Sequence, residues 1–374
     1  MKVSRVRYFA VDLPIATGEY VMSRGRALTE LETTVVEIQS EDGSTGFGEA
    51  CTLGSNYIEG FAGSVRATLR ELGPSLIGCD VFEPLTLIER MDEVVQGHLP
   101  AKAAIDAACL DLRGKLLGLP AYKLLGGRQT ARYPVFHALS LASPEKMARE
   151  ANEMADRGYR SWQLKLGNDP IADAVRVQAV VDVIGKSAEF ITSDANGGWT
   201  LGQASRFLAA ISGVDTYVEQ PCQSMGETAQ LRARSRQPFV LDEVIRTQTD
   251  LLQCITISAA DAINIKPTRV GGLTKAVQIR DMARAAGIMV MIDEPMGGDL
   301  ASAGIGHLAT ACQPTHLLAA SLLTATHVGK PGHGSLSGGP MLQNGYASVG
   351  EDPGLGVQVD AGTLGEPVVC GQQD

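Results

Sequence analysis

Between residues 134 and 320 the chain repeats one unit eight times: a short apolar run, then a segment with helical spacing. The runs are Pro134–Ser140, Ser161–Leu166, Glu189–Asp194, Thr216–Glu219, Phe239–Asp242, Ala262–Lys266, Ile288–Asp293 and His316–Ala320. Runs this short, bounded by polar or Gly-rich residues, read as buried parallel strands, and the periodic segments between them read as amphipathic helices. Two helix starts are explicit: Ser143-Pro144 supplies an N-cap followed by proline at the first helical position, and Ser224-Met225-Gly226-Glu227 is a capping box. Eight such units form an α/β fold of the (β/α)8-barrel type. A doubly wound sheet would favour a glycine fingerprint after its first strand, and the sequence has none.

The first part of the chain has a different rhythm. Val3 to Val11 alternates, and Thr33–Ile38 and Ser44–Glu49 flank the turn signal Glu41-Asp42-Gly43. Residues 14–30 between them show no periodicity. Ala62–Leu76 and Ala101–Gly118 then carry helical spacing, the second with small side chains. Strands followed by helices predict an N-terminal α+β capping domain over residues 1–128, a barrel over 129–349, and a loop-like tail over 350–374 that returns to the cap.

Composition narrows the function. The net charge of −10 argues against a nucleic-acid partner, because phosphate neutralisation needs clustered Lys and Arg. No apolar run is long enough to span a membrane, and Met1-Lys2-Val3-Ser4-Arg5 is not followed by the apolar stretch of a signal peptide. The seven cysteines (51, 79, 109, 222, 254, 312 and 370) are dispersed and never in a C-x-x-C pair. They are expected to be reduced thiols in a cytoplasmic protein.

The strand ends carry the chemistry. Read in order they are Lys165, Asp194, Glu219, Asp242, Lys266 and Asp293, the middle four spaced by about one β/α unit each. In a barrel such residues point to the active-site mouth. Three carboxylates from adjacent strands offer hard oxygen ligands, which suit Mg2+, and without a cation they would repel one another. Lys165 and Lys266 flank the acids on either side. A metal beside a pair of amines suits abstraction of the proton next to a carboxylate: the cation stabilises the enediolate and a lysine of lowered pKa acts as base. The expected partner is therefore a small-molecule carboxylate.

At these residues the chain resembles the enolase superfamily, within the mandelate racemase/muconate lactonising enzyme group. The resemblance rests on Ala103–Leu112, Leu124-Leu125-Gly126-Gly127, Ser193–Trp199, Val218-Glu219-Gln220-Pro221, Leu241-Asp242-Glu243 and Ile265–Leu273. It implies a modified barrel, Asp194, Glu219 and Asp242 as metal ligands, Lys165 and Lys266 as the acid/base pair, and a homo-oligomer. Two departures matter. The group usually carries Lys-x-Lys at the second strand, where this chain has Gln163-Leu164-Lys165. The seventh strand ends in Asp293 and not in the histidine of the mandelate racemase type.

Around Glu219–Gln223, Ile265–Arg269 and Asn56-Tyr57 the sequence is similar to cis-3-hydroxy-L-proline dehydratases. It is also similar to the proline betaine and hydroxyproline betaine 2-epimerases. In the latter a tryptophan after the eighth strand would face a quaternary ammonium, but Leu318–Leu322 has no aromatic residue. A secondary amine paired with Asp293 is the expectation, against the alternative that Asp293 only caps the next turn. The expected reaction is dehydration or 2-epimerisation of a proline derivative. Muconate cycloisomerase or N-acyl amino acid racemase activity stands as the alternative. Tyr57, Gln163, Asn196, Asp293 and Glu294 are the candidate substrate contacts. Tyr57 could equally be a surface residue. Among the histidines, His98 could reach the mouth, His307 reads as core, and His327 and His333 fall in a Gly-rich loop.

Overall fold

The computed structural model describes residues 1–16, 18–22, 26–326 and 336–373; His327 and His333 lie outside the described residues. Strands β1 (Val3–Pro14), β2 (Glu30–Ser40) and β3 (Thr45–Cys51) form an antiparallel sheet. Alternation puts Val6, Tyr8, Val36 and Ile38 of this sheet in one core with helices α1 (Ala62–Leu76), α2 (Pro84–Val94) and α3 (Leu99–Leu117). Phe9, Leu13, Val35 and Phe47 join the larger core shared with the barrel. The sheet is thus buried on both faces.

Helix α3 is buried on nearly every side, and its small residues let it lie directly on β3. A Cβ on Gly46 would come within 2.2 Å of the Ala108 carbonyl oxygen, and one on Gly48 within 2.2 Å of that of Ala104. Close approach of two backbones requires glycine at both positions.

The barrel follows. Its parallel strands are β4 (Phe136–Leu139), β5 (Ser161–Lys165), β6 (Phe190–Asp194), β7 (Tyr217–Glu219), β8 (Phe239–Leu241), β9 (Ala262–Ile265), β10 (Met289–Ile292) and β11 (Leu317–Ala320). They pair in chain order, and a parallel bridge between Val135 and Ala320 joins the first to the last. Phe136, Ala138, Phe190, Val240, Ala262, Met291 and Ala319 fill part of the interior. Each apolar run of the sequence contains its strand, and the strands are one to three residues shorter than the runs. Ser143 caps its helix by accepting from the Lys146 amide, and Ser224 and Glu227 form the expected capping box.

Two segments differ from the sequence reading. Residues 14–30 contain a ribbon of two-residue strands, Tyr20–Val21 paired with Ala27–Leu28, too short to show any period. The tail is not wholly loop: β12 (Val368–Gln372) pairs antiparallel with β1 at the edge of the cap sheet. All seven cysteines are free thiols, five of them buried. Among the described residues no helix is long and apolar enough to cross a membrane.

Candidate active site

Lys165 ends β5 and Lys266 follows β9, four strands apart in an eight-stranded barrel, so they stand on opposite sides of its mouth. Both line one cavity. The cap contributes Tyr20, Met22, Leu53 and Tyr57 to its wall, and the barrel adds Gln163, Asp293, Glu294 and Met296.

Each lysine is paired to an acid. Lys165 Nζ donates to Asp194 Oδ2 at 2.6 Å. Lys266 Nζ donates to Asp242 Oδ2 at 2.8 Å and to the Tyr57 hydroxyl at 2.5 Å, with Asp293 Oδ2 at 3.4 Å. Burial alone would lower both lysines, yet the neighbouring carboxylates hold both well above the usual lysine range. The nearest charge to each ammonium is an anion, which favours the protonated form.

The third acid is different. Glu219 is fully buried and, among the described residues, accepts only from neutral groups: Gln163 Nε2 and Asn264 Nδ2 at 2.9 Å, and Thr192 Oγ1 at 3.3 Å. Burial and then the charges of Asp194 and Asp242 push its carboxyl well above the ordinary value. Asp242, although also buried, is held far below it by Arg269 and Lys266. The Arg269 guanidinium bonds Asp242 Oδ1 and donates to the carbonyls of Ile245 at 2.9 Å and Asn264 at 2.5 Å. Gln220, with a left-handed φ of 35°, accepts from the Asp242 amide through Oε1 at 2.9 Å and so fixes β7 to β8.

The donor set fits a hard divalent cation, since it offers only carboxylate oxygens and Glu219 is left under the repulsion of its two neighbours. Buried Asn196 Oδ1, with no hydrogen-bond partner, adds a free oxygen beside it. Among the described residues no three acidic, His or Cys side chains are already gathered at metal-binding spacing. Asp194 and Asp242 turn oxygens to the lysines instead.

The remaining candidates take several positions. Gln163 lines the cavity while holding Glu219. Asn196 is not on the cavity wall; its amide donates to Asp194 Oδ2 at 2.9 Å and to Glu243 Oε1 at 3.1 Å. Glu294 lines the wall, but both its oxygens accept from the Thr268 amide, and burial raises its carboxyl to about 8. Tyr57 is half-buried in the site and not a surface residue. His98 is exposed at the start of α3, and His307 is core. Sequence reasoning assigned no role to Arg269, Asn264 or Tyr20. β11 carries no aromatic residue, and Tyr20, Tyr57 and Phe136 bring aromatic faces to the cavity from elsewhere.

A capped (β/α)8 barrel with charged strand ends around a small cavity defines a class of enzyme, and sequence comparison agrees with it. Residues 6–126 match the mandelate racemase/muconate lactonizing enzyme N-terminal domain, and residues 146–363 match the enolase C-terminal domain-like family. The chain belongs to this family of the enolase superfamily, whose relatives are lyases and isomerases. It is 40% identical over 369 residues to the cis-3-hydroxy-L-proline dehydratase of Roseibium aggregatum, covering 98% of this chain and 99% of that one. It is 29% identical to the N-succinyl-L-Arg/Lys racemase of Bacillus cereus, covering 99% and 98%. The structure of an enolase superfamily member from Roseovarius nubinhibens complexed with magnesium superposes with a TM-score of 0.91 at 32% identity, covering 98% of each chain.

Proposed function

We propose that the enzyme removes the proton α to the carboxylate of a proline derivative, and that its reaction is the dehydration of cis-3-hydroxy-L-proline. The observation that carries this reading is the placement of Lys165 and Lys266 on opposite walls of one cavity. In the cis isomer the hydroxyl shares a ring face with the carboxylate, so it lies on the face opposite the α-hydrogen. One lysine, in the neutral form that the charge of a neighbouring Mg2+ would favour, takes the α-proton. The electron pair of that C–H bond becomes the Cα–Cβ double bond while the C3–O bond breaks. The other lysine, as the ammonium, gives its proton to the departing hydroxyl, which leaves as water. The enamine formed then becomes a pyrroline carboxylate.

Asp194, Glu219 and Asp242 are the residues that would hold Mg2+, which when bound offsets the negative charge gathering on the substrate carboxylate as the proton departs. Asp293, buried and 3.4 Å from Lys266, would pair with the ring amine. Tyr20, Leu53 and Met296 exclude water from the reacting face. The same two lysines can also return the proton to the opposite face, which makes 2-epimerisation the companion reaction.

The test is incubation with Mg2+ and each 3-hydroxyproline isomer in D2O, followed by NMR. The cis isomer should yield the pyrroline carboxylate, whereas the trans isomer should exchange its α-proton with little elimination. No exchange with any proline derivative, alongside turnover of an N-acyl amino acid, would overturn the reading.

A further inference from the structure

Two walls of the cavity come from different domains and meet at one side chain. Glu49, near the end of β3, is buried and accepts three hydrogen bonds. Its Oε1 takes Thr33 Oγ1 at 2.9 Å and the Gly298 amide at 2.7 Å; its Oε2 takes the Ala301 amide at 3.1 Å. Gly298 is the N-cap of the helix Asp299–Thr310 and has no side chain to cap it. The cap domain therefore supplies what an N-terminal Ser or Asp normally would.

The link lies between cavity-lining residues of both segments. Past Glu49 the cap strand bridges to the barrel through Cys51 and Met296, then presents Leu53 and Tyr57. Before Gly298 the barrel loop presents Asp293, Glu294, Pro295 and Met296. Burying a carboxylate is costly, and among the described residues Glu49 has no cation as a hydrogen-bond partner; burial raises its carboxyl, and nearby Asp299 adds to that. A neutral apolar side chain would fill the space at lower electrostatic cost but would give no direction.

We infer that Glu49 is a positioning residue that fixes the cap wall (Leu53, Tyr57) against the barrel wall (Asp293–Met296) and so sets substrate affinity, acting without touching substrate. The inference rests on the reading of this cavity as the substrate site.

Three variants test it. Glu49→Gln puts an amide donor against the Ala301 or Gly298 N–H. Thr33→Val removes one donor to Glu49 and keeps the shape. Asp111→Asn is the control: Asp111 is as deeply buried and also accepts backbone amides, from Phe47 at 2.8 Å and Leu355 at 2.7 Å, but it ties the cap to the C-terminal tail. E49Q should raise KM by about tenfold with kcat within about threefold, and T33V should shift KM the same way by less. D111N should lower Tm and leave KM unchanged. Hydrogen exchange at residues 51–57 and 296–301 should rise together in E49Q and not in D111N. A Tm loss in E49Q with KM unchanged, or an equal KM rise in D111N, overturns the inference. If the wild type turns over no carboxylate, the cavity reading fails, and joint loss of protection in the two segments still decides whether Glu49 couples the walls.

Discussion

The hydroxyl of Tyr57 lies 2.5 Å from Nζ of Lys266 and 3.1 Å from Asp242 Oδ2, so a residue of the cap takes part in the hydrogen bonding of a barrel lysine. The Arg26 guanidinium lies 5.7 Å from the centre of the same ring and Lys266 Nζ 4.9 Å from it. Tyr57→Phe keeps the ring and removes only the oxygen. It should lower the rate of α-proton exchange by about tenfold to a hundredfold, the range for losing one positioned polar group near a reacting centre. Steady-state kinetics with Tm measured in parallel checks this; an unchanged rate would remove Tyr57 from the site.

Opposed lysines make separable demands on the two reactions. Dehydration with the hydrogen and hydroxyl on opposite faces needs both, whereas exchange from one face needs only one. Lys165→Ala and Lys266→Ala should each lose dehydration by at least about a thousandfold, yet each should keep exchange with one enantiomer of proline and lose it with the other. NMR in D2O with L- and D-proline reads this directly. Loss of exchange with both enantiomers in both variants would show that the lysines act as one unit.

The metal set yields a stability measurement independent of turnover. Mg2+ that binds only the folded state adds about 2.7 kcal/mol at a hundred times its Kd, which thermal unfolding detects. Tm should rise on adding Mg2+ and fall back with a chelator, and activity should follow it. Glu219→Gln should abolish the Mg2+-dependent rise. A rise of the same size in that variant would show that the cation binds elsewhere.

The ring of strand-end charges was readable because each barrel strand is short and apolar, so the first charged residue after it has one place to go. Lys165, Asp194, Glu219, Asp242 and Lys266 all follow that rule. The partners were not readable, because their contacts depend on packing between units. Arg269 reaches Asp242 across the turn after β9, and Asn264 reaches Glu219 across two strands; neither spacing has a period. Tyr20 enters the cavity only through a two-residue ribbon, and aperiodic sequence gives no sign of its direction. Glu49 looks like a polar position on a hairpin, yet it is buried because the barrel lies against that strand. The strand β12 was hidden too, since its pairing with β1 is made by the far end of the chain.

Stability should also depend on pH through His307, which is remote from the site. Its Nδ1 accepts the Tyr122 amide at 3.2 Å, and its ring stacks on Tyr122 at 5.9 Å. Burial lowers its pKa to about 4 from 6.5. Protonating Nδ1 would set a donor against the Tyr122 N–H. Because the folded pKa lies below the unfolded one, the unfolded chain binds the proton more readily once the pH drops under about 6.5. The contribution is fully present above that pH and is lost as the pH falls toward about 4, amounting to about 2 kcal/mol by pH 5. Urea unfolding at about pH 7 and pH 5 should show this loss in the wild type. His307→Gln, which keeps an acceptor and a donor but cannot titrate, should be less stable at pH 7 and lose about 2 kcal/mol less on acidification. An equal pH slope in the two proteins would place the acid sensitivity elsewhere.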